Sequence, residues 1–215
     1  MPTQREYEHK FTKEETKIFS DYYDFLELYD HEIYYYIQEA DREELVEIQE
    51  VMLSYINAAP NFLDSYLIMI AACNQLGENR RAERHLEKGY KKALELILDK
   101  KGNWPDIMEW AWLENRHIIR LLMKQAEHFW DEGMEEEKSK HLQAIKIYEN
   151  LIKTNPRDNV GARYPYLAML EGIDLYELKK LYGNEKKLDT WFENKGRKRE
   201  ELKWWFKCVE ELEKG

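Results

Sequence analysis

The chain has 215 residues and a net charge of −10, with 43% hydrophobic and 35% charged side chains. Its 7 Trp, 15 Tyr and 7 Phe exclude a disordered chain, and 9 Gly and 5 Pro are too few turn residues for a sheet-rich one. The acidic balance opposes nonspecific nucleic-acid binding, because phosphate repels a net negative surface.

Residues 1–12 are largely polar and read as a loose N-terminal tail, with a single helical domain over 13–215. From Lys13 the pattern is helical. Tyr22, Leu26, Tyr29, Ile33 and Tyr36 recur at steps of 4, 3, 4 and 3, which places them on one helix face. Asp41 caps the next helix with Glu44 three residues on, and Pro60 stops it. A third helix starts at Asn61 or Asp64, runs through Leu76 and ends at Gly77. The pattern predicts further helices over about 79–100, 106–131 (with a break near Glu114 and Asn115) and from the charge run Glu135-Glu136-Glu137-Lys138 to Ile152. Asn155-Pro156-Arg157-Asp158-Asn159 is a stop-and-restart signal. Shorter helices follow over roughly 160–171, 174–182, 185–194 and 198–213. No segment sustains period-2 alternation, so the fold class is all-α, helical hairpins from end to end.

An internal repeat organises these helices. Tyr66, Ile70, Cys73 and Gly77 are spaced 4, 3 and 4, with Ala82 and Leu86 following at 5 and 4; Leu122, Ala126, Phe129 and Gly133 repeat the 4, 3, 4 spacing, and Ala144, Tyr148 and Pro156 follow. This large–small–large face, turn glycine, small residue on the second helix and terminal proline resemble the tetratricopeptide repeat, TPR. Pro60 falls where that repeat's terminal proline belongs. Gly133 to Ala144 is 11 residues instead of 5, so 134–139 reads as an insertion in the turn; Gly172 comes one residue early, and Pro165 sits inside a first helix. A second resemblance is to a TPR subgroup with an N-P-x-D-N-x-G-x-R-Y block, here Asn155-Pro156-Arg157-Asp158-Asn159-Val160-Gly161-Ala162-Arg163-Tyr164. Its earlier block is matched by Asn103-Trp104-Pro105, Glu114-Asn115-Arg116 and Arg120, with His117 at the helix-opening proline. The resemblance implies a right-handed superhelix of antiparallel helix pairs, a TPR-like solenoid, in an interaction protein. Without the family, the Asn-Pro block reads as a capping corner, with Arg163 as either a structural pair or a ligand residue.

The chemical motifs are sparse. His9, His31, His85, His117, His128 and His141 make no H-x-x-x-H or H-E-x-x-H pair and read as ordinary surface or half-buried histidines, so neither metal nor cofactor is expected. There is no P-loop, G-x-S-x-G or G-x-G-x-x-G. Cys73 and Cys208 read as small buried hydrophobes in a reducing compartment. The N-terminus has no apolar core and the longest apolar run, 66–73, is too short for a bilayer, so a cytoplasmic protein without membrane partners is expected.

Stacked helix pairs leave a concave wall on the first helix of each pair. With Tyr66, Ile70, Cys73, Leu122, Ala126 and Phe129 facing the core, the wall falls to Leu67, Asn74, Gln75, Arg120, Met123, Glu127, Trp130 and Arg163. Mixed Arg, amide, Met and Trp suit an extended peptide. TPR domains that clamp a C-terminal carboxylate use Lys and Asn there, and Leu67 and Ala71 in this chain argue against such a clamp. The expected function is a non-enzymatic scaffold or adaptor binding a protein or peptide segment in the groove. Two alternatives stay open. One is a nucleic-acid module using the C-terminal basic–aromatic segment (Lys186, Lys187, Lys195, Arg197, Lys198 and Arg199 with Trp191, Trp204 and Trp205), and the other is an enzyme with its site in the concavity. Leu202, Trp205, Phe206, Val209 and Leu212 share a face that reads as packing, and Trp204 points elsewhere, to a homodimer or partner contact.

Overall fold

The structure is a computed structural model that describes residues 4–135, 138–212 and 214. Those residues form helices α1 (Lys13–Glu27), α2 (Ile33–Glu39), α3 (Arg42–Ala58), α4 (Asp64–Gln75), α5 (Asn79–Ile97), α6 (Arg116–Glu135), α7 (Lys138–Thr154), α8 (Arg163–Glu171), α9 (Leu175–Tyr182), α10 (Glu185–Gly196) and α11 (Lys203–Leu212). Among the described residues the only extended pairing is an isolated parallel bridge between Glu6 and Ile107. The chain divides into two compact units, a first unit of residues 8–102 and 112–122, and a second of 103–111, 123–215 and the first seven residues. The expected insertion at 134–139 includes Glu136 and Glu137, which lie outside the described residues.

In the first unit, residues 8–12 are anchored where a loose tail was expected. The buried His9 donates its backbone N–H to Asn115 Oδ1 at 2.9 Å. Thr12 then caps α1 in a capping box, accepting from Glu15 N at 3.1 Å while Glu15 accepts from Thr12 N at 2.6 Å. The single Tyr22–Tyr36 helix expected from periodicity is broken. Asp30 and His31 take φ of 48° and 63°, and the chain restarts at Ile33. Tyr22 and Ile33 stay buried on either side of that turn, so the apolar phase survives a break in the backbone. Asp41 and Glu44 form the expected box at α3.

α4 packs between α3 and α5, with α2 alongside. It buries residues on all sides, Asp64 through Ile70 together with Ala72 and Cys73. Each fully buried Leu, Ile or Met of this kind is worth roughly 1.5–3 kcal/mol. Gly77 ends α4 at φ +75°, where its own N–H bonds Asn74 O and Glu78 N–H reaches back to Cys73 O.

In the second unit, residues 106–111 were expected to begin a helix but run non-helically. Tyr7 N–H bonds Ile107 O at 2.8 Å, Met108 N–H bonds Thr154 O at 2.7 Å, and Trp110 N–H bonds Asn155 Oδ1 at 3.4 Å. α7 packs on α8; α8, α9 and α10 pack on one another. Gly133, expected as a turn glycine, lies inside α6 instead. A Cβ there would stand 2.6 Å from His141 N, so the glycine permits contact with the α7 backbone. Pro165 is tolerated because it occupies the first turn of α8, where its missing N–H had no intrahelical partner. Among the described residues no helix is long and apolar enough to cross a membrane.

Candidate functional site

The Asn-Pro block builds the most developed site, in the second unit. Asp158 is buried with φ +48°, and from there its carboxylate reaches forward to α8, accepting from Ala162 N at 2.7 Å and Arg163 N at 2.9 Å. These are first-turn N–H groups with no intrahelical partner. Arg163 Nη1 adds a 3.1 Å ion pair to the same carboxylate. Burial pushes the Asp158 carboxyl up to about 6, against the opposing pull of Arg163 and the two N–H groups.

Thus held, the Arg163 guanidinium lies 4.1 Å from the Tyr164 ring centre, 5.6 Å from Phe192 and 5.9 Å from Trp205. It also donates to the Tyr164 hydroxyl, which in turn donates to Asp189. Trp205 is fixed by its indole N–H to Pro156 O at 2.9 Å and by edge-on packing against Phe192 at 5.3 Å. Above these groups opens a cavity of about 450 Å³, lined by Arg157, Arg163, Asp189, Phe192, Trp205 and Leu212, among others. Arg157 is exposed and has no ion-pair partner among the described residues; Glu193, on the rim, is engaged by Arg197 at 2.8 Å. The cavity therefore offers an apolar, aromatic floor and one unneutralised cation.

A second polar cluster lies in the first unit. Arg120 donates to both oxygens of Asp64, through Nε at 2.9 Å and through Nη2. Asp64 is buried, while the Arg120 side chain is 39% exposed. Burial pushes the Asp64 carboxyl up, against the pull of Arg120. Beside it, His117 is 1% exposed and accepts the Leu63 N–H on Nδ1 at 3.0 Å. The His9 ring meets it edge-on at 5.3 Å, with His9 Nε2 3.4 Å from Glu15. So His9 and His117 are core residues, where ordinary surface or half-buried histidines were expected. Among the described residues no three His, Cys, Asp or Glu side chains converge as metal ligands do.

Burial lowers the pKa of both histidines, opposed at His9 by Glu15 and Glu114 and reinforced at His117 by His9 and Arg120. A histidine whose folded pKa is depressed contributes stability above its unfolded value near 6.5, and that stability is lost as pH falls below it. We therefore expect the thermal midpoint of the first unit to drop between pH 7.5 and pH 5, with a smaller drop in His9→Phe; melts at the two pH values check this.

The eight expected groove residues divide between the two units. Leu67, Asn74, Gln75 and Arg120 belong to the first unit, and Met123, Glu127, Trp130 and Arg163 to the second. Leu67 is buried because α4 is enclosed on all sides. Trp130 is 0% exposed and packs edge-on against Tyr148 at 6.4 Å. At about 100° per residue, the buried arc of α6 runs from Leu121 through Leu122 and Ala126 to Trp130, roughly half the circumference, and the indole lies at its edge, inside. Asn74 and Gln75 are exposed, and Gln75 donates to Gln38 O at 2.9 Å. Met123 and Glu127 are half-buried, with Glu127 paired to Lys124 at 3.3 Å. Cys73 is buried, but Cys208 is half-buried.

Three of the six C-terminal basic residues are paired, Lys195 and Arg199 with Glu171 and Arg197 with Glu193 and Glu210, while Lys186, Lys187 and Lys198 are exposed. Phe192, Trp205 and Phe206 are buried in packing, leaving Trp191 and Trp204 half-exposed. Sequence reasoning missed Asp64 as a site residue; it met Arg157 only in the capping block, and Phe192 and Trp205 only as C-terminal aromatics. Asp64 carries a visible signal, a lone acid opening the apolar run of α4. Comparison with protein-family models, with curated proteins and with solved structures found no match to this chain.

Proposed function

We propose that the protein is a non-enzymatic scaffold of TPR-like helix pairs that holds a peptide segment of a partner protein, and that the segment docks in the Arg163–Trp205 cavity. The observation that carries this reading is the cavity's composition. Val209, Leu212 and the edge of Trp205 offer apolar surface, and Arg157 stands ready for an anion while Arg163 is already neutralised by Asp158 and Asp189. An apolar or aromatic side chain next to a carboxylate satisfies both features. The nearest packing partners support helix pairing: α3 with α4, α4 with α5, and α7 with α8.

Arg157 and Leu212 are both exposed, so replacing them leaves the fold intact. Peptides selected from a random display library against the wild-type protein are expected to carry an aromatic or aliphatic residue beside an acidic one. Arg157→Glu/Leu212→Glu should weaken their binding at least about tenfold, as loss of an anchor and a charge-assisted contact does, with unchanged circular dichroism. Peptides bound equally well by the double variant would refute the assignment.

A further inference from the structure

α5 carries a cationic face that the cavity does not use. Arg80, Arg84, Lys88 and Lys91 are all exposed, and none has an ion-pair partner among the described residues. At about 100° and 1.5 Å per residue they fall within an arc of roughly 80° and extend over about 16 Å, successive charges standing about one helical turn apart. This happens in a chain whose net charge is −10. The two other basic residues of the helix are engaged, Arg81 by Glu78 and Gln49 and Lys92 by Glu95. The stripe begins beside a surface depression of about 560 Å³ lined by Gly77, Glu78, Asn79, Arg80, Arg81 and Arg84. Its field is felt locally: His85 is lowered by burial and then by Lys88, Arg81 and Arg84.

We propose that this face of α5 docks an acidic helical segment of a partner protein, with carboxylates one turn apart matching Arg80, Arg84 and Lys88. Three observations select that occupant. The arc holds no aromatic ring, so it lacks the stacking platform that single-stranded nucleic acid uses. It holds no apolar side chain to insert into a bilayer. Glu83 and Glu87 are exposed along one flank, where they repel a uniform polyanion but accept a basic residue from a polypeptide of mixed charge. Exposed pairs of this kind set orientation and association rate more than tightness, so the contact is salt-sensitive.

The test measures fluorescence anisotropy of a labelled helical peptide with glutamate at every fourth position, titrated with the full chain at low and at physiological salt. The controls are a peptide of the same composition with the glutamates moved off that spacing, and a double-stranded RNA. We expect the spaced peptide to bind best, to weaken with salt, and to lose at least about tenfold in affinity to Arg80→Glu/Arg84→Glu/Lys88→Glu. Arg157→Glu/Leu212→Glu should bind it as the wild type does, which separates this surface from the cavity. Absence of binding, equal binding by the charge-reversed variant, or tighter binding of the RNA than of the spaced peptide would each overturn the proposal.

Discussion

Replacing Asp158 should cost more stability than any conservative reading of a loop residue suggests, in the order Ala, then Gly, then Asn. Three contributions act at this position. The carboxylate satisfies the backbone N–H groups of Ala162 and Arg163 at the start of α8 and an ion pair from Arg163. The backbone sits at φ +48°, a left-handed conformation that costs an alanine roughly 1–2 kcal/mol and a glycine almost nothing. Asp158→Ala loses all three and is expected to destabilise by about 3–4 kcal/mol. Asp158→Gly escapes the backbone penalty and should fall about 1 kcal/mol short of that. Asp158→Asn tolerates the conformation and keeps one acceptor oxygen, for a loss of about 1–2 kcal/mol.

Urea denaturation at pH 7 reads the series, and an alanine variant as stable as the asparagine one would refute this account. The pH dependence adds a second readout. The folded carboxyl is raised to about 6 from an ordinary value of 3.8. The pH-dependent part of its contribution, which comes from the protonated carboxyl, is therefore complete below pH 3.8 and lost as pH rises through about 6, while the hydrogen bonds and ion pair of the carboxylate persist at pH 7. In Asp158→Asn that decline should vanish.

Asp158 also shows how much the sequence can say. Its capping role was legible, because Asp or Asn just after Asn-Pro is a helix-start signal of purely local chemistry. The same holds for Asp41 with Glu44, for Gly77 and for Pro60, each of which bounds a helix as expected. What local patterns could not show is bonding between distant segments. Residues 107–112 are apolar enough to pass for a helix, but Met108 and Trp110 spend their N–H groups on Thr154 and Asn155. His9 looked like part of a tail until Asn115, more than a hundred residues away, fixed its backbone.

The candidate site suffered from a different limitation. Assigning the wall residues assumed one narrow core stripe per helix. α4 is enclosed on all sides and α6 buries half its circumference, which sent Leu67 and Trp130 inside. Arg163 lines the cavity, but Asp158 and Asp189 already pair with it, so it is not the free cation there. That part falls to Arg157, which the sequence offered only as a member of the capping block.

The unequal exposure of the Arg120–Asp64 pair leads to an asymmetric expectation. Asp64 opens α4, where a negative charge is favoured by the helix N-terminus, but it is buried and has Arg120 as the partner on both oxygens. Removing the arginine strands a carboxylate that cannot reach water; removing the aspartate frees an arginine that can. Arg120→Met is therefore expected to destabilise by about 2–3 kcal/mol at pH 7, a loss placed below the fully buried case because Arg120 is 39% exposed. Asp64→Asn should cost only about 1 kcal/mol.

Burial already pushes the Asp64 carboxyl up, and without Arg120 it rises further. A carboxyl with a raised folded pKa is stabilising in its protonated form, so the Arg120→Met defect should shrink as pH is lowered from 7 to 5. The double replacement Asp64→Leu/Arg120→Met removes the stranded charge and should recover most of the wild-type stability, since well-packed apolar groups often substitute for a buried pair without loss. Thermal melts of the three variants at both pH values decide the matter. If Asp64→Asn proved the more damaging single change, the buried carboxylate would not be the group that needs its partner.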